Sequence, residues 1–217
     1  TPSVRSTPAL ARAIADRHTG VGGDGLILLL PPTDGSDSHI RMRIFNADGS
    51  EAEMCGNGIR CLCKLAHDHN IRPGIRDANP MRVQTPNGVL SLEYTLDRAG
   101  QVGDVTVDMG EPILDPRRIP VKITGLPRIV SHRGPFRFGK WADAAGLDRK
   151  MTCVSMGNPH AVFYASDVTL VPLEQIGPRI EQHVMFPNRI NVHFVQVHSD
   201  RHVMMRTWER GSGVTLA

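Results

Sequence analysis

The sequence predicts a mixed α and β protein whose elements fall into two parts. Positions 40–44 alternate apolar residues with arginines, which is typical of a strand with one buried face. Apolar residues at helical spacing follow at positions 59–66. The stretch from 110 to 120 contains three prolines and no periodicity, which indicates a boundary between the two parts.

The individual elements follow from the same periodicities. A first helix is expected to open at Thr7-Pro8, an N-cap residue followed by proline at the first helical position, and to run through about Asp16. The first part should then contain strands at 26–30 and 40–46, a helix after Cys55, and strands at 81–85, 89–96 and 102–109. The second part should contain strands at 151–155, 161–164, 190–197 and 202–209, and a helix over 173–183 in which Pro178 is a candidate kink. Residues 121–150 show no dominant period and receive no assignment.

Composition limits the classes of function. A chain of 217 residues can form one or two domains with a buried core. The net charge is +3 with scattered basic residues and only 5% aromatics, so a nucleic-acid surface is not expected. The longest apolar run, Leu26–Leu30, is too short to cross a bilayer. The cysteines at positions 55, 61, 63 and 153 lack disulfide-framework spacing, so a cytoplasmic location is expected.

Cys55 is the strongest candidate for a reactive group. It stands at the predicted start of a helix, where free backbone N–H groups and the helix dipole favour the thiolate form. Gly56 and Gly58 beside it would let a ligand approach the backbone closely. The alternative is a buried, unreactive cysteine. The strand, turn and helix order together with the two glycines favours the reactive thiol.

A glycine-rich stretch at 20–25 fits the spacing G-x-G-x-x-G, but its context argues against a dinucleotide site. That fingerprint needs a strand before it and a helix after it. Here a predicted helix precedes the glycines and a predicted strand follows them. A tight connection with close backbone packing is the preferred interpretation.

The two parts also show a weak internal repeat. In the first, two strands and a turn lead to Cys55, nine residues after Asn46. In the second, two strands lead to Glu209, and the same offset falls one position beyond Ala217. Both ends of the sequence look cut, so we expect an internal piece of a longer protein in which the counterpart of Cys55 follows Ala217.

Several motifs together resemble one enzyme family. The stretch from Phe45-Asn46-Ala47-Asp48-Gly49-Ser50 through Cys55-Gly56-Asn57-Gly58 closely resembles the first catalytic signature of diaminopimelate epimerase. The stretches at 16–25, 154–160 and 209–211 look like its other motifs, in the family's order. The family pattern would continue after Ala217 with a second catalytic cysteine.

The resemblance implies an α+β fold with two similar domains, each a curled mixed β-sheet wrapped around a central helix. The N-terminal domain would span 1–115 and the C-terminal domain 116–217. The implied activity is that of a pyridoxal-independent isomerase, which inverts one α-carbon of LL-diaminopimelate to give the meso form on the route to lysine and peptidoglycan. No cofactor and no metal are expected, the partner is the small-molecule substrate, and a homodimer stays open as the assembly. The chain as given is expected to be inactive alone, because one acid/base group would be missing.

The resemblance also assigns the site. Cys55 would be one of two acid/base groups on opposite faces of the α-carbon, and His160 and Glu209 would be catalytic by setting the protonation of the cysteine pair. The implied substrate-binding residues are Asn46, Gly56, Asn57, Asn158, Asn191, Glu209 and Arg210. All of these groups are expected to converge on one cleft between the two halves, with Ala217 close to Cys55.

Two alternatives remain. A proline racemase relative would share the two-cysteine chemistry, but that family resembles Cys-Gly-His-Gly where this chain has Asn57. A metal or redox module built on Cys55, Cys61 and Cys63 is the other. Helix geometry disfavours it, because Cys61 and Cys63 would point about 200° apart around the helix. Cys55 and Cys61 would be separated by about 9 Å along the axis, beyond disulfide reach.

Overall fold

The chain divides into two compact units, Thr1–Gly110 and Glu111–Ala217. The computed structural model describes residues 7–215. Each unit has its own hydrophobic core and its own mixed sheet.

The first unit combines a mixed sheet with two helices. Its sheet has the order β1-β2-β4-β5-β6, and β3 pairs with β2 at Ile44 and Phe45. Neighbouring strands are antiparallel except β2 and β4, which are parallel. The elements are α1 (Thr7–Ala15), β1 (Gly25–Leu30), β2 (Ile40–Asn46), β3 (Glu51–Ala52), α2 (Gly56–Asp68), a 3₁₀ turn (Ile75–Asp77), β4 (Met81–Thr85), β5 (Gly88–Leu96) and β6 (Val102–Val107).

Helix α2 supplies one side of the first core. Its buried residues Ile59, Leu62 and Ala66 recur at helical spacing and pack with Met42 and Leu92 of the sheet. At its far end, the Asp68 carboxylate accepts from the Val102 amide at 2.9 Å, which ties the helix to the start of β6. These contacts fix the direction of α2 and therefore the place of its N-terminus.

The second unit repeats the mixed character with a different strand order. Its sheet runs β12-β11-β10-β9-β8-β7, and only β9 and β10 are parallel. The elements are β7 (His132–Arg133), α3 (Trp141–Ala144), β8 (Asp148–Ser155), β9 (Pro159–Tyr164), a 3₁₀ turn (Val168–Leu170), α4 (Leu173–Glu181), β10 (Asn191–Ser199), β11 (His202–Glu209) and β12 (Gly213–Thr215).

An aromatic core lies between α4 and this sheet. The rings of Phe163 and Phe194 stack at 5.3 Å between centroids, and both side chains are fully buried. Ile176 and Ile180 of α4 pack into the same cluster. Pro178 is accommodated within one continuous helix, so the candidate kink does not divide α4.

The sequence periodicities located the long elements well. Strands β2, β4 and β11 begin and end at the predicted residues, and α2 begins directly after Cys55 as expected. The short elements β3, β7, α3 and β12 were not predicted. Two to four residues are too few to show a period, and the three short strands are determined by pairing across the sheet instead.

Candidate active site

The Cys55 side chain caps helix α2. Its backbone is extended (φ −146°, ψ 109°), and its Sγ accepts from the amide of Gly58 at 3.3 Å. This hydrogen bond holds the sulfur at the N-terminus of α2, beside the backbone N–H groups of the first helical turn. A Cβ on Gly58 would lie 2.6 Å from Cδ1 at the end of the Ile27 side chain, so a larger residue there would displace that side chain. Cys55 is half-buried, so it stays reachable from solvent.

The start of α2 also offers two backbone donors. The N–H groups of Gly56 and Asn57 have no hydrogen-bond acceptor among residues 7–215. First-turn amides of a helix point away from the helix body and form an anion-binding site together with the dipole. A thiol and two free donors therefore lie within three consecutive residues.

A tight turn connects β2 to β3 just before this thiol. The Asp48 carboxylate accepts from the Ser50 amide at 2.8 Å and from its hydroxyl at 2.5 Å. The Asn46 side-chain amide donates to the Ser50 hydroxyl at 3.0 Å. Gly49 has φ +82° and faces α1 so closely that a Cβ would lie 2.6 Å from the Pro8 carbonyl oxygen. Side chains of the turn itself supply most of these hydrogen bonds, and the Arg12 guanidinium of α1 adds one to the Asp48 carbonyl at 3.1 Å.

The second unit contains a row of hydrogen-bonded side chains that we call the histidine network, formed by Asn158, His160, His193 and Thr207. His160 Nε2 lies 2.8 Å from Asn158 Oδ1, and His160 Nδ1 lies 2.8 Å from His193 Nε2. His193 Nδ1 in turn lies 3.0 Å from the Thr207 hydroxyl. The network crosses the sheet from the turn before β9 through β10 to β11.

Burial keeps both imidazoles neutral. It lowers the pKa of His160 from 6.5 to about 3, with further contributions from His193 and from the positive charge of Arg210. Burial alone lowers the pKa of His193 to about 4. At neutral pH each ring therefore carries one N–H and one acceptor nitrogen.

The turn that carries Glu209 and Arg210 is stabilised by hydrogen bonds with residues from other parts of the second unit. The Arg210 amide donates to Asn191 Oδ1 at 2.8 Å, and the Arg210 guanidinium donates to the Asn188 carbonyl at 2.9 Å. Glu181, at the end of α4 and only 3% exposed, accepts from the Trp208 indole at 2.7 Å and from the Gly211 amide at 3.3 Å. These contacts join the turn to residues about twenty to thirty positions earlier in the sequence.

The predicted site residues thus occupy three local clusters. Asn46, Cys55, Gly56 and Asn57 lie on the turn and helix of the first unit, while Asn158 with His160, and Asn191 with Arg210, form hydrogen-bonded pairs in the second. Glu209 ends β11 beside the second pair. Their convergence on one cleft stays a prediction. The expected closeness of Ala217 to Cys55 concerns a residue outside the described part of the chain.

Sequence reasoning missed His193 and Glu181. His193 stands two residues after Asn191 in a strand, a spacing that places both on one face. Glu181 follows Gly177 by four positions and so shares the buried face of α4. Both signals were present in the sequence. However, the role of a polar residue on a buried face can be inferred only when its hydrogen-bond partner is known.

Two of the other cysteines, Cys63 and Cys153, are fully buried. Burial raises the pKa of Cys63 to about 11 and that of Cys153 to about 12, so both stay as thiols. All four cysteines are free. Within residues 7–215, no group of three or more histidine, cysteine or acidic side chains could hold a metal ion. No helix in that range is long and apolar enough to cross a membrane.

Comparison with known proteins identifies relatives across nearly the whole chain. The family model described as diaminopimelate epimerase matches residues 2–114 and 152–217. The diaminopimelate epimerase of Acetivibrio thermocellus is 46% identical over 215 residues, which cover 99% of this chain and 71% of that protein. The diaminopimelate epimerase of Desulfitobacterium hafniense is 46% identical over 210 residues, covering 97% and 68%.

Solved structures resemble the fold at low sequence identity. A probable proline racemase from Agrobacterium radiobacter K84, with bound carbonate, has a TM-score of 0.63 at 15% identity. A hydroxyproline epimerase from Agrobacterium vitis, with bound trans-4-hydroxy-L-proline, has a TM-score of 0.63 at 14% identity. The chain is covered to 99% in both comparisons but spans only 62% and 61% of those proteins. These similarities confirm the α+β fold of two sheet domains and nothing further.

Proposed function

This chain belongs to the diaminopimelate epimerase family, and from that premise we propose that it forms the greater part of an enzyme that inverts an α-carbon of LL-diaminopimelate. The product is the meso isomer, a precursor of lysine and peptidoglycan. The observation that carries the proposal is the placement of Cys55 at the N-terminus of α2 beside two free amide donors. The curated relatives, 46% identical and named for this activity, support the substrate.

The chemistry needs what this helix terminus provides. An amino-acid α-proton is very weakly acidic, so its removal requires a positioned base and stabilisation of the charge that develops. Cys55 would take the proton from one face or deliver it to that face. The N–H groups of Gly56 and Asn57 would hold the adjacent carboxylate and stabilise the increased negative charge in the transition state. No pyridoxal and no metal is part of the proposed reaction.

The second unit would supply recognition and proton control. The side-chain amides of Asn158 and Asn191, and that of Asn46 from the first unit, offer donors and acceptors to ammonium and carboxylate groups. Arg210 and Glu209 would bind substrate, and His160 with Glu209 would set the protonation of the catalytic thiol. We place the N-terminal epimerase domain at 1–115 and the C-terminal one at 116–217.

The wider setting of the enzyme is part of the same proposal. The partner is a small molecule, and no nucleic acid or membrane is involved. A cytoplasmic location fits free cysteines of which two are fully buried thiols. A homodimer is the assembly to test first.

An isomerisation assay on the complete gene product tests the proposal. LL-diaminopimelate is supplied without pyridoxal phosphate, and the LL and meso isomers are separated on a chiral column. We expect conversion toward the equilibrium mixture of the isomers, unaffected by hydroxylamine, which traps pyridoxal carbonyl groups.

L-Proline and trans-4-hydroxy-L-proline serve as comparison substrates, because the structural neighbours include racemases named for these imino acids. Conversion of either one with no turnover of diaminopimelate would overturn the proposed substrate. A stoichiometric metal in the purified, active protein would contradict the metal-free reaction.

A further inference from the structure

A buried carboxylate at the C-terminal end of α4 is surrounded by groups that can only donate. Glu181 is 3% exposed. Its Oε2 accepts from the Trp208 indole at 2.7 Å, and its Oε1 accepts from the Gly211 amide and from Arg189 Nη1, both at 3.3 Å. An indole N–H, a backbone N–H and a guanidinium are donors, and a carboxylate is an acceptor, so the direction of all three hydrogen bonds follows from their chemistry.

The Gly211 amide belongs to the central peptide of the turn Glu209–Ser212. The Ser212 amide donates to the Glu209 carbonyl at 3.1 Å, which closes a four-residue β-turn. Gly211 has φ +79°, whereas the φ of Arg210 is not positive. This combination at the two central residues is typical of a type II turn. Glycine permits it, because a side chain at such a φ would be strained.

The turn between β2 and β3 in the first unit has the other orientation. There the Gly49 amide donates to the Asn46 carbonyl at 2.9 Å, and neither Ala47 nor Asp48 has a positive φ, as in a type I turn. Type I and type II turns differ mainly by reversal of the central peptide, which exchanges the directions of its N–H and C=O groups. Equivalent strand pairings therefore accommodate both orientations, and another group must select between them.

Glu181 is placed to select the orientation of the second turn. With the central peptide as observed, the Gly211 N–H points to the carboxylate. Reversal of the peptide would turn the Arg210 carbonyl oxygen toward the carboxylate instead, because N–H and C=O point in opposite directions across a trans peptide. Two acceptors would then face each other in a buried position, and the carboxylate would lose a donor. The buried charge therefore favours the type II orientation.

A second connection runs from Glu181 to the Arg210 side chain. Glu181 forms an ion pair with Arg189, whose backbone has φ +58°. The preceding residue, Asn188, accepts from the Arg210 guanidinium at 2.9 Å through its carbonyl oxygen. Arg210 itself is only 8% exposed. The main chain and the side chain of Arg210 thus both adjoin groups that are bound to one carboxylate.

We propose that Glu181 is a positioning residue, whose carboxylate fixes the central peptide of the Glu209–Ser212 turn and thereby directs the Arg210 side chain. The link from Arg210 to the substrate rests on the proposed function, whereas the orientation of the turn does not. A helix residue that is nearly closed off from solvent thus controls how tightly the substrate is bound.

Selective labelling of the complete gene product tests the orientation of the turn. With ¹³C at the arginine carbonyl and ¹⁵N in glycine, a correlation across the peptide bond selects Arg-Gly pairs, and residues 1–217 contain two of them, Arg133-Gly134 and Arg210-Gly211. In a type II turn the ψ of the second residue brings its Hα close to the next amide proton. We therefore expect a strong cross-peak between Arg210 Hα and the Gly211 amide proton. A weak cross-peak, typical of a type I turn, would overturn the proposal.

Glu181→Met tests the group that selects the orientation. Methionine has a similar length but accepts none of the three hydrogen bonds. The Gly211 amide signal should shift, its hydrogen exchange should accelerate, and its cross-peak to Arg210 Hα should weaken. The Arg133-Gly134 signal is the internal reference and should not change. An unchanged Gly211 signal in folded Glu181→Met protein would contradict the role of Glu181.

Kinetics of the complete gene product connect the turn to the substrate. Glu181→Met should raise the KM for diaminopimelate roughly tenfold, with a smaller change in kcat, because Arg210 is no longer directed toward the substrate. Trp208→Phe is the matched control, since it removes a hydrogen bond of the same carboxylate but leaves the contact with the Gly211 amide. It should lower the stability of the protein and leave the KM within about twofold.

Gly211→Ala changes the turn from the other side and also serves if Glu181→Met fails to fold. A Cβ at φ +79° disfavours the type II orientation while the carboxylate stays in place, so the KM should rise in the same way. An equal rise in KM in Trp208→Phe and Glu181→Met, or no rise in either Glu181→Met or Gly211→Ala, would overturn the link to binding. Absence of epimerisation in the unmodified protein would instead overturn the proposed function, and the Gly211 cross-peak would still decide the orientation of the turn.

Discussion

Two turns in this molecule have the same strand pairing and the same backbone hydrogen bond, but different contacts stabilise them. In the first unit, β2 and β3 pair with Phe45 opposite Glu51, and in the second, β11 and β12 pair with Trp208 opposite Val214. The turn of the first unit has a hydrogen bond from the Gly49 amide to the Asn46 carbonyl. The second has the corresponding bond from Ser212 to Glu209, across the same three-residue step.

The stabilising contacts of the two turns come from different places. In the first turn, Asp48 accepts two hydrogen bonds from Ser50, two residues away, and Arg12 of α1 adds one to the Asp48 carbonyl at 3.1 Å. The second turn depends on Glu181 and Asn191, which lie on another helix and another strand. A common backbone frame can thus be stabilised by local or by distant groups. Because the groups that stabilise the second turn are distant in sequence, that turn depends on the folding of the whole second unit.

The largest expected effect follows from removing the distant support. Glu181→Ala leaves the Trp208 indole and the Gly211 amide without their acceptor in a buried position, at a cost of about 3 kcal/mol in the free energy of unfolding. Urea unfolding followed by tryptophan fluorescence measures this, because Trp141 and Trp208 both lie in the second unit. Exposed Glu174 on the same helix is the matched control, and Glu174→Ala should change the free energy by about 0.5 kcal/mol or less. Equal effects of the two substitutions would show that the buried hydrogen bonds of Glu181 do not stabilise the second turn.

Acid should destabilise the second unit before the first. The folded-state pKa values of His160 and His193 are lowered from 6.5 to about 3 and about 4. The unfolded chain therefore binds more protons below pH 6.5, and the stability present above that pH is lost as the pH falls toward these values. In the first unit burial also lowers the pKa of His39, the only other histidine among residues 7–215 with a resolved shift.

Urea midpoints between pH 7 and pH 4.5 test this expectation. Tryptophan fluorescence follows the second unit, and hydrogen exchange of the α2 amides follows the first. The His193→Gln variant should lose stability less steeply on acidification than the unmodified chain. A midpoint of the second unit that does not change with pH would show that the two rings already carry charge in the folded state.

The smallest effect is expected at the turn of the first unit. Asp48→Ala removes two local hydrogen bonds at an exposed position and should cost about 1 kcal/mol. Hydrogen exchange of the Asn46 amide, which donates to the Ser50 carbonyl at 2.8 Å, should accelerate accordingly. Asp34→Ala, in an exposed loop, is the control. A larger loss in the free energy of unfolding for Asp48→Ala than for Glu181→Ala would show that the local hydrogen bonds stabilise the molecule more than the distant ones.

The same contrast explains what could be predicted from the sequence. The turn at Asp48-Gly49-Ser50 and the start of α2 after Cys55 were predicted because their determinants lie within a few residues. Strands β2 and β4 followed from their alternating pattern. The glycine-rich stretch at 20–25 follows α1 and leads into β1, which is the order that argued against a dinucleotide site.

What the sequence did not show depends on long-range pairing. Strand β12 exists because it pairs with β11, and its three residues contain no pattern of their own. The roles of Glu181 and His193 depend on partners 27 and 33 positions away. His160 and Asn158 were predicted as site residues from their motif. Their hydrogen-bonded partners His193 and Thr207 were not predicted, because a partner on another strand leaves no local signal.

The central claim is that Cys55 is a catalytic acid/base, and deuterium wash-in at the α-carbon of diaminopimelate tests it most directly. The complete gene product is incubated with substrate in heavy water, and exchange is followed by mass spectrometry, with Cys61→Ala on the exposed face of the same helix as the control. We predict that Cys61→Ala exchanges at the unmodified rate, and that Cys55→Ala slows exchange by a factor of roughly 100 to 10,000 with the fold intact. Near-normal deuterium incorporation into both isomers by the Cys55→Ala protein would contradict the account.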